Sequence, residues 1–144
     1  TAPGNSVWDG LGLLYQFDYI VAPGVFYCPS HHGDHPFTRY APHWPASGTE
    51  IFTNFQFRVS GPSELFGRDS GQALIADALR TQADFNHAVG CNFVRRDLSA
   101  TWYTDSMGHL IAGLPASDSD GGAAQQVQDA WEFLDGIDVN GDPR

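Results

Sequence analysis

The spacing of apolar residues along the chain predicts two helices. Residues 7–17 place apolar side chains at helical spacing, so a short helix is expected near the N-terminus. Residues 123–135 show a clearer helical pattern, and Gly136 follows at the position where helices commonly end. The apolar stripe of this second helix consists of Val127, Ala130, Trp131 and Leu134.

Strand patterns occur in three further stretches. Residues 51–60 alternate strictly between apolar and polar side chains and form the clearest strand pattern in the chain. Residues 73–79 form a short apolar run of the kind found in buried strands. Residues 91–103 alternate on two arms, which predicts a hairpin with its turn near Arg96 and Asp97.

Turn-forming residues dominate much of the N-terminal half. Residues 18–27 are rich in strand-forming side chains, but Ala-Pro-Gly at 22–24 interrupts them with a strong turn signal. Residues 28–48 are rich in proline, histidine and glycine and are predicted to form a long loop. The sequence therefore predicts one α+β domain covering residues 1–144, with an antiparallel sheet and flanking helices.

The charge of the chain excludes some partners. It carries 17 acidic residues against 7 arginines, with no lysine, and its formal net charge is −10. Such a surface lacks the basic patch that phosphate binding needs, so we expect no nucleic-acid partner. Anionic lipid is unfavourable for the same reason. The content of glycine (16) and proline (9) is typical of extracytoplasmic domains rich in loops and strands.

Two cysteines, Cys28 and Cys91, leave two readings open. They are either a single disulfide, which an oxidising extracytoplasmic compartment would favour, or two buried thiols. Two cysteines are too few for a disulfide framework or a four-cysteine zinc site.

Two separated stretches carry motif-like residues. The first reads Gly-Leu-Gly-Leu-Leu-Tyr at residues 10–15 and Pro-Gly-Val-Phe-Tyr-Cys-Pro-Ser at residues 23–30. The second begins with Phe-Asn-His at residues 85–87 and continues with Gly90, Asn92, Asp97 and Trp102. In this order they resemble bacterial prepilin-type proteins of the type II secretion, or pseudopilin, class, whose prepilin-associated segment has nine residues between its histidine and its Asp-Gly pair. Here nine residues separate His87 from Asp97.

The chain departs from the family pattern at three points. Leu98 replaces the glycine of the Asp-Gly pair, so we expect a turn that does not need a positive φ at this position. Val89 replaces the first glycine of the family's Gly-Gly pair. The long apolar helix with which pseudopilins begin is not seen before Thr1, so we expect that it either precedes this chain in the full-length protein or has been lost.

The resemblance implies a pilin-like globular domain with a structural function, as a subunit of a type II secretion pseudopilus or a type IV pilus-like filament. Its expected partners are other pseudopilin subunits, bound through the N-terminal helix, and secreted cargo. The domain itself is expected to be monomeric and extracytoplasmic, with a membrane anchor only if that helix is present. His87 is expected to bond to Asp97 or to the turn backbone, Asn92 to loop amides, and Trp102 to form part of the core.

A histidine-rich loop is a candidate zinc site. Imidazole and carboxylate groups in close succession are zinc-ligand types, although the spacing matches no recognised motif. The alternative is a solvated polar loop. The candidate ligands are His31, His32, Asp34, His35 and His43.

The acidic C-terminus is a candidate calcium site. Asp-x-Asn-x-Asp at residues 138–142 has the rhythm of a calcium loop, but Pro143 stands where the glycine of an EF-hand should be. A looser site remains, and the resemblance favours it because major pseudopilins hold calcium near their C-terminal loops. Its candidate ligands are Asp118, Asp120, Asp135, Asp138, Asn140 and Asp142.

No residue pattern nominates a catalytic centre, so the chain is not expected to be an enzyme. His87 and Cys91 are four residues apart, but Cys91 alternates as an inward strand residue. The alternative function is a secreted carbohydrate- or metal-binding module. In that case a stacking platform for sugars would come from the aromatic residues Trp8, Phe37, Tyr40, Trp44 and Tyr103, of which Trp44 is expected to be partly exposed.

Overall fold

The computed structural model describes residues 8–44, 49–58, 71–77 and 79–144. Four antiparallel strands form one sheet in the order β1-β2-β3-β4, so each strand pairs with its neighbour in sequence. The strands are β1 (Phe55–Phe57), β2 (Ala73–Asp77), β3 (Gly90–Arg95) and β4 (Ala100–Thr104). The α-helices are α1 (Gly12–Gln16), α2 (Phe37–Tyr40), α3 (His109–Gly113) and α4 (Ala123–Asp135), and 3₁₀ turns cover Pro23–Phe26 and Ala41–His43.

The predicted α+β class is confirmed, and the elements with the most regular patterns lie where they were expected. Helix α4 has the predicted bounds, and the β3–β4 hairpin covers the predicted arms. The predicted strand at 51–60 is only three residues long, and its last two residues lie outside the described part of the chain. The turn signal within residues 18–27 is confirmed: Pro23 and Gly24 begin a 3₁₀ turn, and the strand-forming side chains around it lie in an irregular segment.

The sheet buries one face against α4. Phe93 and Cys91 of β3 point to this face, and Trp131 and Leu134 of the helix meet them there. A salt bridge also joins the sheet side to the helix: Arg58 Nη1 donates to Asp135 Oδ2 at 2.7 Å. We call this region the sheet–helix core. It contains Ala73, Ala76, Leu79, Phe85, Cys91, Phe93, Tyr103, Leu110, Leu114, Ala130, Trp131, Leu134 and Ile137.

A second cluster of buried residues is almost entirely aromatic. Its centre is Trp44, whose ring stacks on Phe26 with centroids 5.4 Å apart and meets Tyr15 edge-on at 4.7 Å. Such ring contacts stabilise beyond the area that they bury. We call this region the aromatic cluster. Its buried members are Phe26, Tyr27, Tyr40 and Trp44, and Trp8, Leu11, Leu14, Tyr15, Ile20, Ile51 and Phe52 pack around them.

The turn of the hairpin differs from expectation. A turn without a positive φ at Leu98 was predicted, but Leu98 has a φ of 66° and adopts the left-handed conformation. The turn closes because Leu98 N–H donates to the carbonyl of Arg95 and Arg95 N–H donates to the carbonyl of Ser99. Asp97 supports it by accepting from the Ser99 amide at 2.9 Å. These bonds hold a leucine in a conformation that glycine adopts without strain.

No helix within the described residues is long and apolar enough to cross a membrane.

Candidate functional site

The loop after Cys28 lies against the segment that precedes β3. Gly33 makes this approach possible: a Cβ atom there would lie 2.5 Å from Asp84 Oδ1 and would collide with the carbonyl of Ala83. Only glycine leaves the necessary room. The loop therefore reaches a buried carboxylate that lies about fifty residues further along the chain.

Asp84 is the centre of this contact and is 2% exposed. His35 Nδ1 lies 2.9 Å from Oδ2, and the backbone N–H of Asp34 donates to Oδ1 at 3.0 Å. His31 Nε2 lies 3.5 Å from Oδ1, and Thr81 Oγ1 donates to Oδ2 at 3.3 Å. Burying a carboxylate is costly unless it is partnered. Asp84 thus binds the loop and is itself stabilised by it.

Two asparagines extend the contact into a network. Asn54 is 1% exposed: its Oδ1 accepts from the amide of Cys28 at 3.1 Å, and its Nδ2 donates to the carbonyl of His35 at 2.7 Å. Asn86 Oδ1 lies 2.6 Å from His31 Nδ1, and its Nδ2 donates to the carbonyl of Asn54 at 3.2 Å. The side chains of both asparagines therefore supply hydrogen bonds that strand pairing would otherwise provide, and they hold an irregular loop in place.

A thiol, an imidazole and a carboxylate meet beside this network. Cys28 Sγ lies 3.6 Å from His87 Nε2, and the same nitrogen lies 3.4 Å from Asp77 Oδ2. Asp77 is 1% exposed and accepts from the Asn92 amide at 2.6 Å and from Asn92 Nδ2 at 3.1 Å. His87 thereby links the loop to strands β2 and β3.

This arrangement is unlike a nucleophilic triad. In such a triad the nucleophile and the carboxylate face different nitrogens of the histidine, so that one nitrogen accepts a proton while the other is held. Here the thiol of Cys28 and the carboxylate of Asp77 both face Nε2 of His87. The histidine bridges two buried groups, and this geometry serves structure better than proton transfer.

The motif residues have other partners than those expected. The prediction that the His87 imidazole bonds to Asp97 or to the turn backbone is wrong, because the imidazole faces Cys28 and Asp77. Asp97 instead accepts from Ser99 within the hairpin turn. That bond holds the pKa of Asp97 below its usual range. Trp102 was expected in the core, but it is 38% exposed and its ring lies edge-on to that of His87 at 5.4 Å. Strand alternation explains this, since Tyr103 takes the inward position.

Burial alters the acidity of two tyrosines beside the loop. It raises the pKa of Tyr27 to about 12, although the hydrogen bond from Trp44 Nε1 partly opposes the rise. It also raises the pKa of Tyr40 above its ordinary value. Both hydroxyls are therefore neutral over the ordinary pH range, and the aromatic cluster carries no charge from them.

The predicted zinc site is not formed as proposed. His31 and His35 do come together, but at Asp84, which was not among the predicted ligands. His32 is exposed, and His43 lies in the 3₁₀ turn after α2. No group of three histidine, cysteine or acidic side chains able to hold a metal occurs among the residues that the structure describes. The carboxylate of Asp84 is occupied by hydrogen bonds instead.

The predicted calcium ligands are likewise dispersed. Asp135 binds Arg58, and Asp118 binds Arg80 at 2.5 Å, a contact that lowers the pKa of Asp118. Asp138 accepts from the amides of Asp142 and Asn140, and these bonds lower the pKa of its carboxyl group. Asp120 accepts from the amide of Ser117 at 2.9 Å. Each of these four carboxylates already has a protein partner, so over the described residues the six candidates do not form one site.

Both cysteines are free, so of the two readings the disulfide is wrong and the buried thiols are correct. The reason is topological. Cys91 points into the sheet–helix core, where burial raises its pKa, whereas Asn92 and Asp77 lie on the opposite face. Cys28 approaches that opposite face through His87, so the sheet separates the two sulfur atoms.

The aromatic residues nominated as a sugar platform are mostly internal. Trp44, Tyr40 and Tyr103 are buried, and the prediction that Trp44 is partly exposed is wrong because four aromatic rings surround it. The structure has instead an open groove of about 520 Å³ beside β4, which we call the edge groove. It lies between β4, the turn before α3 and the C-terminal loop, and its lining includes Trp102, Thr104, Met107, His109, Asn140 and Pro143.

The chain was compared with protein-family models, with curated proteins and with solved structures, and none of the three comparisons found a match.

Proposed function

We propose that this chain is the globular head of a structural subunit of a pilus-like filament, of the kind found in type II secretion. One observation carries the proposal: the two stretches that resemble pseudopilins are in direct contact. Cys28 of the first stretch lies 3.6 Å from His87 of the second, and His31, next to that first stretch, lies 2.6 Å from Asn86. The two stretches are therefore neighbours in the fold, as residues of one shared motif would be, although they lie more than fifty positions apart in the sequence.

The geometry of the hairpin turn adds support. The family has glycine at the position of Leu98, and this residue has the left-handed backbone that glycine favours. The turn therefore has the shape that the family pattern implies, although the glycine itself has been replaced. The backbone conformation of Leu98 is an observation separate from the residues that match the family motif.

The chemistry of the network fits a structural role. Asp84, Asn54 and Asn86 are at most 2% exposed and bond to loop backbone and imidazole groups. His87 faces its thiol and its carboxylate through one nitrogen, which is unsuited to proton relay. The network would keep a loop-rich head rigid, as the surface of a filament requires, and no reaction is part of the proposal.

Partners and location follow from the proposal. The head would be extracytoplasmic and would contact other subunits of the same filament and secreted cargo. A strongly acidic head is compatible with this location because it repels neither neutral surfaces nor basic cargo.

The test begins with the gene. We expect the coding sequence before Thr1 to specify a cleavable leader and a long apolar helix. Antibodies raised against the 144-residue chain should then label filaments sheared from the cell surface, and loss of the leader-cleaving peptidase should abolish the labelling. A chain secreted free into the medium, with no such helix in its gene, would contradict the proposal. Saturable quenching of tryptophan fluorescence by sugars would then favour the carbohydrate-binding alternative.

A further inference from the structure

Strand β4 lies at the end of the sheet, so within the described part of the chain one of its edges has no neighbouring strand. In an antiparallel ladder, residues that bond to the partner strand alternate with residues whose backbone groups point away from it. Asp105 N–H donates to the carbonyl of Val89 at 2.8 Å, and the register then makes Tyr103 the next residue of β4 that bonds to β3. The backbone N–H and C=O groups of Trp102 and Thr104 therefore point to the free edge.

The C-terminal loop covers part of this edge and leaves the rest open. Gly141 lies so close to Trp102 that a Cβ atom at this glycine would collide with the Trp102 carbonyl oxygen. The edge groove begins beside this contact, and Thr104 belongs to its lining. The ladder uses neither the N–H nor the C=O of Thr104, and no other described residue bonds to them. One donor and one acceptor of the main chain are therefore open to a ligand in the groove.

The side chains around Thr104 offer two further kinds of contact. Met107 is 76% exposed and Trp102 is 38% exposed, so together they present a flexible thioether and an indole to an apolar side chain. Asp142 is exposed, and its carboxylate has no hydrogen bond or ion pair with any residue that the structure describes. His109 is the other titratable side chain of the lining, and no arginine of the described residues belongs to it. The groove therefore offers an unpaired negative charge beside an apolar surface.

We propose that the edge groove binds an extended peptide segment carrying lysine or arginine, which adds to β4 as a further strand at Thr104. An extended peptide has N–H and C=O groups at the spacing of a strand edge, so one of its residues can bond to both groups of Thr104. Its side chains alternate between two faces, and one of them packs on Trp102 and Met107. A basic side chain of the same segment pairs with the carboxylate of Asp142.

Charge selects a basic segment over an acidic one. A chain with a net charge of −10 attracts cations and repels anions at long range, and this also disfavours a second copy of the chain as the ligand. Added salt should weaken the binding, because the screening length falls from about 10 Å at 0.1 M salt to about 3 Å at 1 M. The groove belongs to the isolated head, so the binding does not depend on assembly of a filament.

Titration of the 144-residue chain with synthetic peptides tests the proposal. The probe is a peptide of alternating valine and lysine with blocked ends, and the control peptide has glutamate in place of lysine. NMR would follow the backbone amide of Thr104 and the indole N–H of Trp102, which donates to Thr104 Oγ1 at 2.9 Å. We expect both signals to shift saturably with the lysine peptide, and the Thr104 amide to exchange more slowly with solvent. The glutamate peptide should bind at least about tenfold more weakly.

Substitutions in the groove separate the backbone contact from the charge contact. Thr104→Pro removes the N–H at a position where the sheet does not use it, a change that edge strands tolerate, and it should weaken binding about tenfold. Thr104→Val is the matched control, because it keeps the N–H and removes only the hydroxyl, and it should bind within about twofold of the unsubstituted chain. Asp142→Asn should weaken binding of the lysine peptide about threefold and leave a valine–serine peptide unaffected.

Three results would overturn the proposal: no saturable shift of the Thr104 amide, equal binding of the lysine and glutamate peptides, or equal binding by Thr104→Pro and Thr104→Val. Melting temperatures would establish that the variants fold. If Thr104→Pro does not fold, a lysine peptide with methylated backbone nitrogens takes its place against the unsubstituted chain. This peptide cannot donate to the Thr104 carbonyl, so it should bind about tenfold more weakly, and equal binding would contradict strand addition.

Discussion

The sheet–helix core and the aromatic cluster are stabilised in different ways. In the core, four antiparallel strands pair and a thirteen-residue helix covers one face of the sheet, so backbone hydrogen bonds and apolar packing act together. The aromatic cluster contains only short helices and 3₁₀ turns, and ring contacts together with the side chains of Asn54 and Asp84 hold it. The difference shows that a region with little regular structure can be ordered by side chains that satisfy its backbone.

The polar network joins the two regions. His87 and Asn86 belong to the segment that leads into β3, while Cys28 and His31 belong to the loop beside the aromatic cluster. The loop therefore takes part of its hydrogen bonding from residues next to the sheet. We expect the core to tolerate changes in the network better than the cluster does.

Truncation of the sheet–helix core should have the largest effect. Phe93 is 1% exposed, so Phe93→Ala should lower the free energy of unfolding by about 3–5 kcal/mol through lost burial and a cavity. Phe37→Ala is the matched change beside the aromatic cluster, where the ring is 36% exposed, and it should cost about 1 kcal/mol. Urea denaturation would measure both, and equal losses would mean that the two regions do not differ as described.

High pH should reveal the burial of the aromatic cluster. Because the pKa of Tyr27 is raised from 10.0 to about 12, the unfolded chain loses this proton before the folded one. Its contribution is complete below pH 10 and is lost as the pH rises through about 12, with a total of about 2–3 kcal/mol. Unfolding free energies across this range should fall less steeply for Tyr27→Phe. Tyr19→Phe, at an exposed site, should follow the unsubstituted chain, and the same slope for both variants would contradict the expectation.

Removal of the charge of Asp84 should weaken the attachment of the loop to the sheet. Asp84→Asn keeps the shape of the side chain but weakens its bonds to His35 and to the amide of Asp34, at a cost of about 1–3 kcal/mol. Hydrogen exchange should show lost protection in residues 28–35 and near-normal protection in β3. Asp129→Asn, on the exposed side of α4, is the control and should change stability by less than about 0.5 kcal/mol. Equal loss of protection in β3 would show that the two regions unfold as one.

The smallest expected effect is an increase in stability. Leu98→Gly should stabilise the chain by about 0.5–1 kcal/mol, because relief of the left-handed backbone exceeds the entropy cost of glycine. Leu98→Ala keeps the strain and removes the exposed side chain, so it separates the two contributions. A thermal melt would detect the difference, and a Leu98→Gly variant no more stable than Leu98→Ala would contradict the account of the turn.

The parts of the fold that could be predicted are those with local periodicity. In helix α4 and the β3–β4 hairpin, apolar residues recur at the spacing of the secondary structure that they form. A short stretch of sequence is therefore enough to predict each element. The aromatic cluster has no such period, because its residues meet through the path of the loop. The sequence therefore did not reveal this cluster: a surface platform for sugars was considered only under the alternative function, and Trp44 and Tyr40 are internal.

The candidate site was only partly predictable for the same reason. Histidines 31 and 35 attracted attention because they are close in sequence, and both do belong to the site. No pattern in the neighbouring residues marks Asp84 as part of a site. It lies under the loop only because of the path that the chain takes in three dimensions. The one local signal was Thr81 three residues before it, a pattern that also occurs where helices begin and hence did not indicate a buried carboxylate.

The distance along the chain between the loop and its partners has a consequence for synthesis. Residues 26–44 leave the ribosome well before Asp84, Asn86 and His87, on which the loop depends. Until Asp84 has been synthesised, this nascent segment, which is rich in aromatic side chains, has no carboxylate to bind. It is then exposed to other chains and to chaperones. We therefore expect the later half of the chain to fold first and the earlier half to dock onto it.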